Sequence, residues 1–395
     1  MPPQGQYQYR RLISVAAIFL LLALALRLWQ RESKRTALPQ TQGVPATIQA
    51  SAPQTAPALT VMATRTNNPT DASARGLQEM FGSFKTVKDA KAARQSLAEL
   101  RRALSAMPTA AAVAAIRQFL DSKEDASTHL GFKVAGSGLL DEAPTLRTFL
   151  LDELARLDPA AAADYAKVVL ANMDSPDEWA VALRNLALGN TSTEARALLL
   201  QKTEQMLQYA PWQQNPSTGF LEAFDVAVYL GGTDLMPALS SLVRQQDNPA
   251  VAHAAYLALD RLVISDATTT LNAMQADPDL MQGRELTRAN YFARADVRDP
   301  QQRQVLESYL LDPRIGAAEI AAFAGVYPNA NFMISPNLIT QTQPPARAAL
   351  TSRDAASLAV AQQWLADPRF ANLGPELQNI IVRLQTFVQQ ANQGP

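Results

Sequence analysis

The stretch Leu242-Val243-Arg244-Gln245-Gln246-Asp247-Asn248-Pro249-Ala250-Val251-Ala252-His253-Ala254-Ala255-Tyr256-Leu257-Ala258-Leu259 decides the fold. It closes one aliphatic helix, turns at Asp247-Asn248-Pro249 and opens an Ala-rich helix. The Asn248 side-chain oxygen is placed to accept one of the backbone N–H groups that the first helical turn leaves orphaned. Proline at the first helical position loses no bond and has its φ preset.

The same signal recurs outward. Asp158-Pro159, Ser175-Pro176 and Asp299-Pro300 each set a capping side chain before a proline, and Gly189, Gly231-Gly232 and Gly316 mark other helix ends. Between these markers apolar residues recur at three- and four-residue steps, the helical period. Leu97, Leu100 and Leu104 form one stripe, and Val113, Ile116 and Leu120 the next. Leu146, Phe149, Leu150, Leu154 and Leu157 follow, then Trp179, Leu183 and Leu186. Leu221, Phe224 and Val228, then Leu235, Leu239 and Leu242, and near the end Leu377, Ile380, Ile381, Leu384 and Val388 continue the pattern. No window alternates strictly over six residues, so the expectation from Gly76 onward is helix without strand. The links are short, as between paired antiparallel helices.

A loose repeat accompanies the helices. Pairs begin near Pro144, Pro176, Ser217 and Pro249, at steps of 32, 41 and 32 residues, which suits a two-helix solenoid. Residues Leu242–Leu259 resemble the turn and second helix of a HEAT repeat: an aliphatic helix end, an Asp-x-Pro turn, Val251 two after the proline, and an Ala-rich face ending in Leu259. Met173–Leu186 resembles it more weakly, with Trp179 displaced from the Val position. The resemblance is best over Pro144–Ile264 and implies an α-solenoid, a curved stack of helix pairs whose surface docks a protein partner. The tetratricopeptide pattern of Trp, Leu-Gly and Tyr is absent from every helix pair.

The N-terminal fifth is other material. Leu12–Leu26 is apolar but for Ser14, with Arg10 and Arg11 before it and Arg27, Arg31, Lys34 and Arg35 after it. Extended to Trp29 it approaches the ~20 residues of a membrane-spanning helix. Arg27 can snorkel and Trp29 suits the interface. A single transmembrane anchor within residues 1–35 is therefore expected. The alternative is a signal peptide cleaved after Ala23-Leu24-Ala25, although that site lies inside the apolar run. Basic residues are more numerous after the segment, which favours a cytoplasmic body. The linker composition and the absence of cysteine agree with an extracytoplasmic, periplasmic-side body, and this placement is the one adopted.

Residues 36–75 contain five prolines, no aromatic residue and only three charges. Such a segment buries too little apolar surface to offset its ordering entropy, so a disordered linker is expected. As a flexible chain it would span ~35 Å between the anchor and a helical domain over residues 76–395. Residues 1–35 hold six basic and one acidic residue, so a chain of net charge −1 leaves its remainder at −6. A body of that sign gives no electrostatic case for nucleic acid.

Enzyme chemistry is thinly supplied. There is no cysteine, and His129 and His253 are the only histidines. A zinc site would need carboxylates with at most those two, so neither metal nor other cofactor is expected. Gly136-Ser137-Gly138 lacks the Gly-Lys-Ser/Thr ending of a phosphate loop. Glu307-Ser308, Asp279-Leu280-Met281-Gln282 and the Ala-rich Ile320–Gly325 resemble, in the wrong order, the motifs of superhelical lytic transglycosylases. That resemblance would make Glu307 the acid of an envelope glycan hydrolase. The plainer reading makes Glu307 decoration on a helix beginning at Pro300. Arg101-Arg102, Arg244 and Arg261 are scattered cations on a solvated surface, or an anion-recognition face. Residues Tyr327–Pro336 are the least helical piece of the body, either a loop packed on the helices or a peptide-like binding element. The sequence thus points to an all-α, membrane-anchored, non-enzymatic scaffold or adaptor, without naming the residues of its binding face.

Overall fold

The computed structural model describes residues 69–245, 247–333 and 337–392, with side chains from residue 76 to 391. The chain divides into two units at Arg65/Thr66, and every described residue lies in the second. The expected anchor at residues 12–29, and the expected linker up to residue 68, lie outside the described residues. Among the described residues no helix is long and apolar enough to cross a membrane.

The second unit is all-α apart from one small hairpin. Helix α1 (Pro69–Ser83) already begins ahead of Gly76 and packs with α2 (Ala90–Ala106) and α3 (Thr109–Asp121). The Asp89 carboxylate accepts from the N–H groups of Lys91 and Ala92 and so starts α2. Phe81 meets Phe119 with ring centroids 4.8 Å apart. The stripe Leu97, Leu100 and Leu104 is buried, as its spacing predicts.

The hairpin pairs β1 (Lys133–Val134) with β2 (Leu140–Glu142) in antiparallel sense, with an irregular register between Lys133 and Val134. Strands of two and three residues are too short to show alternation, which is why the sequence gives no strand signal. The turn between them uses Gly138 at φ +82°, where a Cβ would stand 2.9 Å from the Leu338 carbonyl oxygen. Glycine is needed there for both reasons.

The helical body follows: α4 (Leu146–Leu157), α5 (Pro159–Val169), α6 (Pro176–Gly189), α7 (Thr193–Leu207), α8 (Ala210–Gln214), α9 (Thr218–Glu222), α10 (Asp225–Leu230), α11 (Met236–Arg244), α12 (Pro249–Ser265), α13 (Ala267–Ala276), α14 (Glu285–Phe292), α15 (Pro300–Leu310), α16 (Ala317–Val326), α17 (Arg347–Ala366) and α18 (Gly374–Asn392). The Asx/Ser-Pro boundaries are helix starts. Asp158, Ser175, Asn248 and Asp299 each accept from backbone N–H groups two or three residues on, and proline occupies the first turn. Thr145, Ser192, Ser217 and Asp266 cap further helices without a following proline. The stripe Leu221, Phe224 and Val228 is split between α9 and α10 rather than lying on one helix.

Helices α4, α6, α9–α10, α12, α14, α16 and α18 pack in succession as one row. Helices α5, α7, α11, α13, α15 and α17 pack against members of that row. Side-chain bonds tie the row helices together, at 31–36 residues for four of the six steps. Arg147 to Glu178 spans 31 residues, Asn185 to the Leu151 carbonyl 34, Arg261 to Asp225 36, Arg294 to Asp260 34, and Arg288 to Glu319 31, whereas Ser217 to Asp177 spans 40 and Arg383 to the Ala324 carbonyl 59. The close packing of α6 on α5 depends on Gly189, where a Cβ would meet the Pro159 carbonyl oxygen at 2.0 Å.

Candidate interaction site

Between Val326, the end of α16, and Arg347, the start of α17, the described residues form no helix. Pro328, Pro344 and Pro345 each lack a backbone donor, so a regular helix cannot run through this stretch. Instead the segment runs back across the helix row. Asn329 donates its N–H to the Ala293 carbonyl at 2.7 Å and its side-chain amide to the Asn290 carbonyl at 3.3 Å. The Phe332 ring lies 5.8 Å from the Arg294 guanidinium carbon. Farther on, Leu338 is fully buried. The N–H groups of Ile339 and Thr340 both donate to Asp225 Oδ2 at 2.7 Å, and the Thr340 hydroxyl donates to Asp225 Oδ1. Gln341 then donates its side-chain amide to the Gly136 carbonyl at 2.7 Å.

Two consecutive N–H groups aimed at one anion form a backbone nest. Here the anion is the carboxylate of Asp225, which is 2 % exposed and also lies 3.5 Å from Arg261 Nη1. Its capacity is thus filled by a peptide backbone, a hydroxyl and a cation. Nearby, burial pushes the Glu222 carboxyl up, with Arg261 pulling it down and Asp225 adding to the rise.

The hairpin end of this path rests on a fully buried ion pair. Arg184 contacts Asp152 at 2.7 Å, and both are 1 % exposed. Arg184 also donates to the Gly138 carbonyl at 2.8 Å and to Asn185, while Asp152 accepts the Leu140 N–H at 3.1 Å. Burial pushes the Asp152 carboxyl up against the pull of Arg184. Such a pair is costly to desolvate, and its value lies in fixing geometry once every partner is present. What it fixes here is the turn that Leu338 and Gln341 touch.

A concavity of about 370 Å³ lies between α3, α4, α5 and α6, lined by Leu120, Arg147, Tyr165, Glu178 and Trp179 among others. Several of its polar groups are engaged with one another. Arg147 forms a bidentate pair with Glu178 at 2.8 and 3.1 Å and donates to the Leu120 carbonyl. Burial and a hydrogen bond to Asp121 push the Tyr165 phenol up to about 12, so it is a neutral donor rather than a base at pH 7.

The residues singled out for chemistry do not converge. His129 is exposed at φ +57°, with its Nε2 3.1 Å from the Val87 carbonyl oxygen. His253 is exposed and stacked beside Tyr256. Asp279, Leu280 and Met281 belong to a short 3-10 turn held by Arg244, which donates to the Asp279 carbonyl. Glu307 sits on α15 and is more than decoration, because it accepts from Arg303 at 2.9 Å and from the Trp364 indole at 3.0 Å. Burial raises its carboxyl, but those two donors outweigh it and hold the group below the ordinary glutamate value. A general acid needs the opposite shift. Arg101 pairs with Glu153, which is itself buried, while Arg102 bonds its own helix. Among the described residues no group of three His, Asp or Glu side chains could hold a metal ion.

The residues of the path itself, Asp225, Thr340 and Gln341, carry no motif. The one available signal is a carboxylate set in an apolar run, Phe224-Asp225-Val226, which demands a buried partner. Comparison with protein-family models, with curated proteins and with solved structures finds no match to this chain.

Proposed function

We infer that this protein is a non-enzymatic scaffold or adaptor that binds a protein partner near the cell envelope. Residues 12–29 hold it in the membrane, residues 36–68 act as a tether, and the body is a HEAT-like α-solenoid of antiparallel helix pairs on the periplasmic side. The side-chain ties that span 31–36 residues at four of the six steps of the row support the repeat reading. The observation that carries the binding role is the seating of Asn337–Gln341, a stretch without helix or strand, on Asp225 and the Gly136 carbonyl. A row of helices that holds one irregular peptide by its backbone is built for that class of ligand.

The test is photo-crosslinking in native membranes, with a photoreactive residue at Ser137, beside the Gly136 carbonyl that Gln341 bonds, or at Gln205 on α7, both exposed. The expected result is a discrete protein adduct from position 137 and none from position 205, with the protein resisting alkaline extraction. No discrete adduct from either position, or a glycan-cleaving activity in the purified protein, would overturn the reading.

A further inference from the structure

Four of the bonds that hold Asn337–Gln341 are ones that many peptides could make. Two are backbone N–H donations, one comes from a hydroxyl and one from a side-chain amide to a main-chain carbonyl, while Leu338 is fully buried, Ile339 packs against the core and Asn337 is buried beside them. We propose that Asn337–Gln341 is the resident occupant of a peptide groove. A protein partner enters by displacing it with its own segment, in which an aliphatic residue is followed two positions later by Ser or Thr. This deepens the scaffold reading and rests on it.

Three observations carry the proposal. The segment is bounded by helix ends at Val326 and Arg347, so its departure unravels neither α16 nor α17. Residues 337–343 carry no charge, and they lie where Glu222 and Asp225 face a single Arg261. An acidic residue in a competing peptide would be repelled at that point, whereas N–H and hydroxyl donors are welcomed. Finally, the floor of the groove is fixed independently of its occupant. Arg184 and Asp152 hold the hairpin turn through Gly138 and Leu140, and Asp225 is fixed on α10. The groove therefore survives the exchange, and the resident segment acts as a competitor in cis. A competitor that is bound most of the time lowers the apparent affinity for a partner in proportion to the fraction of time that the groove is open.

The experiment uses the full chain in detergent, with residues 337–341 replaced by an equal-length Gly/Ser sequence. The probe is a fluorescein-labelled peptide of residues 337–343, Asn-Leu-Ile-Thr-Gln-Thr-Gln. It should bind the replaced protein at least ~10-fold more tightly than wild type, whose own segment competes. The same peptide with Thr340→Val should bind roughly 10-fold more weakly, since it leaves the buried Asp225 oxygen without its hydroxyl donor. Equal binding to both proteins, or no binding to a replaced protein whose circular dichroism and melting match wild type, overturns the proposal.

Hydrogen exchange of unaltered wild type is the second measurement. The Ile339 and Thr340 amides should exchange far faster than amides within α12, reporting local opening. Exchange as slow as that of α12 would mean that the segment leaves only on global unfolding, and the groove would not be exchangeable. An adduct from position 137 that persists under excess peptide sinks this inference alone, whereas loss of all adducts in wild type sinks the scaffold reading itself.

Discussion

The Trp364 indole N–H donates to the Glu307 carboxylate at 3.0 Å, joining α17 to α15 across 57 residues of sequence. Trp364 is 2 % exposed and lies within an aromatic series from Phe323 through Tyr327 to Phe370. Its single polar atom therefore has to find a partner inside the protein. Glu307 is that partner, with Arg303 holding the carboxylate in place one helical turn away.

Glu307→Gln should lower stability by about 1 kcal/mol at pH 7, because a charged acceptor is exchanged for a neutral one. The folded-state carboxyl is depressed, so its contribution is present above the unfolded value near ~4.3 and is lost as pH falls through the folded value. Urea unfolding at a series of pH values should show the gap between variant and wild type closing below about pH 4. A gap unchanged down to pH 3 would assign the effect to packing rather than charge.

Removing one partner of the Arg184–Asp152 pair leaves a buried charge. Arg184→Met should therefore destabilise by about 3–5 kcal/mol. Combining it with Asp152→Leu should recover at least half of that loss, since the stranded carboxylate is removed with it. Chemical denaturation of the three variants measures the coupling, and additive losses would contradict direct pairing.

Gly189→Ala and Gly325→Ala should move in opposite directions. Both glycines lie in helices, where alanine is intrinsically better by up to ~1 kcal/mol. At Gly325 a Cβ meets nothing within 4 Å, and the variant should gain stability. At Gly189 the Pro159 carbonyl stands in the way at 2.0 Å, and helix α5 must shift, at a net loss of about 2 kcal/mol. Thermal melts of the two variants distinguish the cases.

Asn248 does two tasks. Its Oδ1 caps α12 at Ala250 and Val251, and its Nδ2 donates to the Gln213 carbonyl at 2.9 Å. Asn248→Ala should cost about 1–2 kcal/mol, and Asn248→Asp should cost less because it keeps the cap and loses only the donation. Equal losses on denaturation would show that the bond to Gln213 dominates.

The helices were legible because their signals are local. Asn248-Pro249 and Asp299-Pro300 declare a helix start within two residues, and the stripe Leu97, Leu100 and Leu104 repeats within two turns. The hairpin was not legible, because strands of two and three residues have no period to detect. Glu307 misleads for a different reason. Its partner Trp364 lies 57 residues on, and nothing beside Glu307 announces a buried indole. The interaction path is the extreme case. Asp225 and Thr340 are ordinary residues separated by 115 positions, and only the tertiary fold makes them neighbours. The composition of Tyr327–Pro336 marks it as non-helical, and within it Asn329 packs on α14 and Phe332 on Arg294, but the continuation to the hairpin has no sequence signature.

The bond from Gln341 to Gly136 closes a circuit of 205 residues, which sets an order of events on the ribosome. Helices α4 to α12 can pair as they emerge, because each needs only its recent predecessors. Asp225 must then wait 115 residues for Ile339 and Thr340 to be made. At roughly 5–20 residues per second, that is about 6–23 s of synthesis. Through that interval the nascent body presents a carboxylate and an empty seat to its surroundings. Newborn chains are therefore the population most open to engagement, whether by an intended partner or by an unrelated peptide that reaches the seat first.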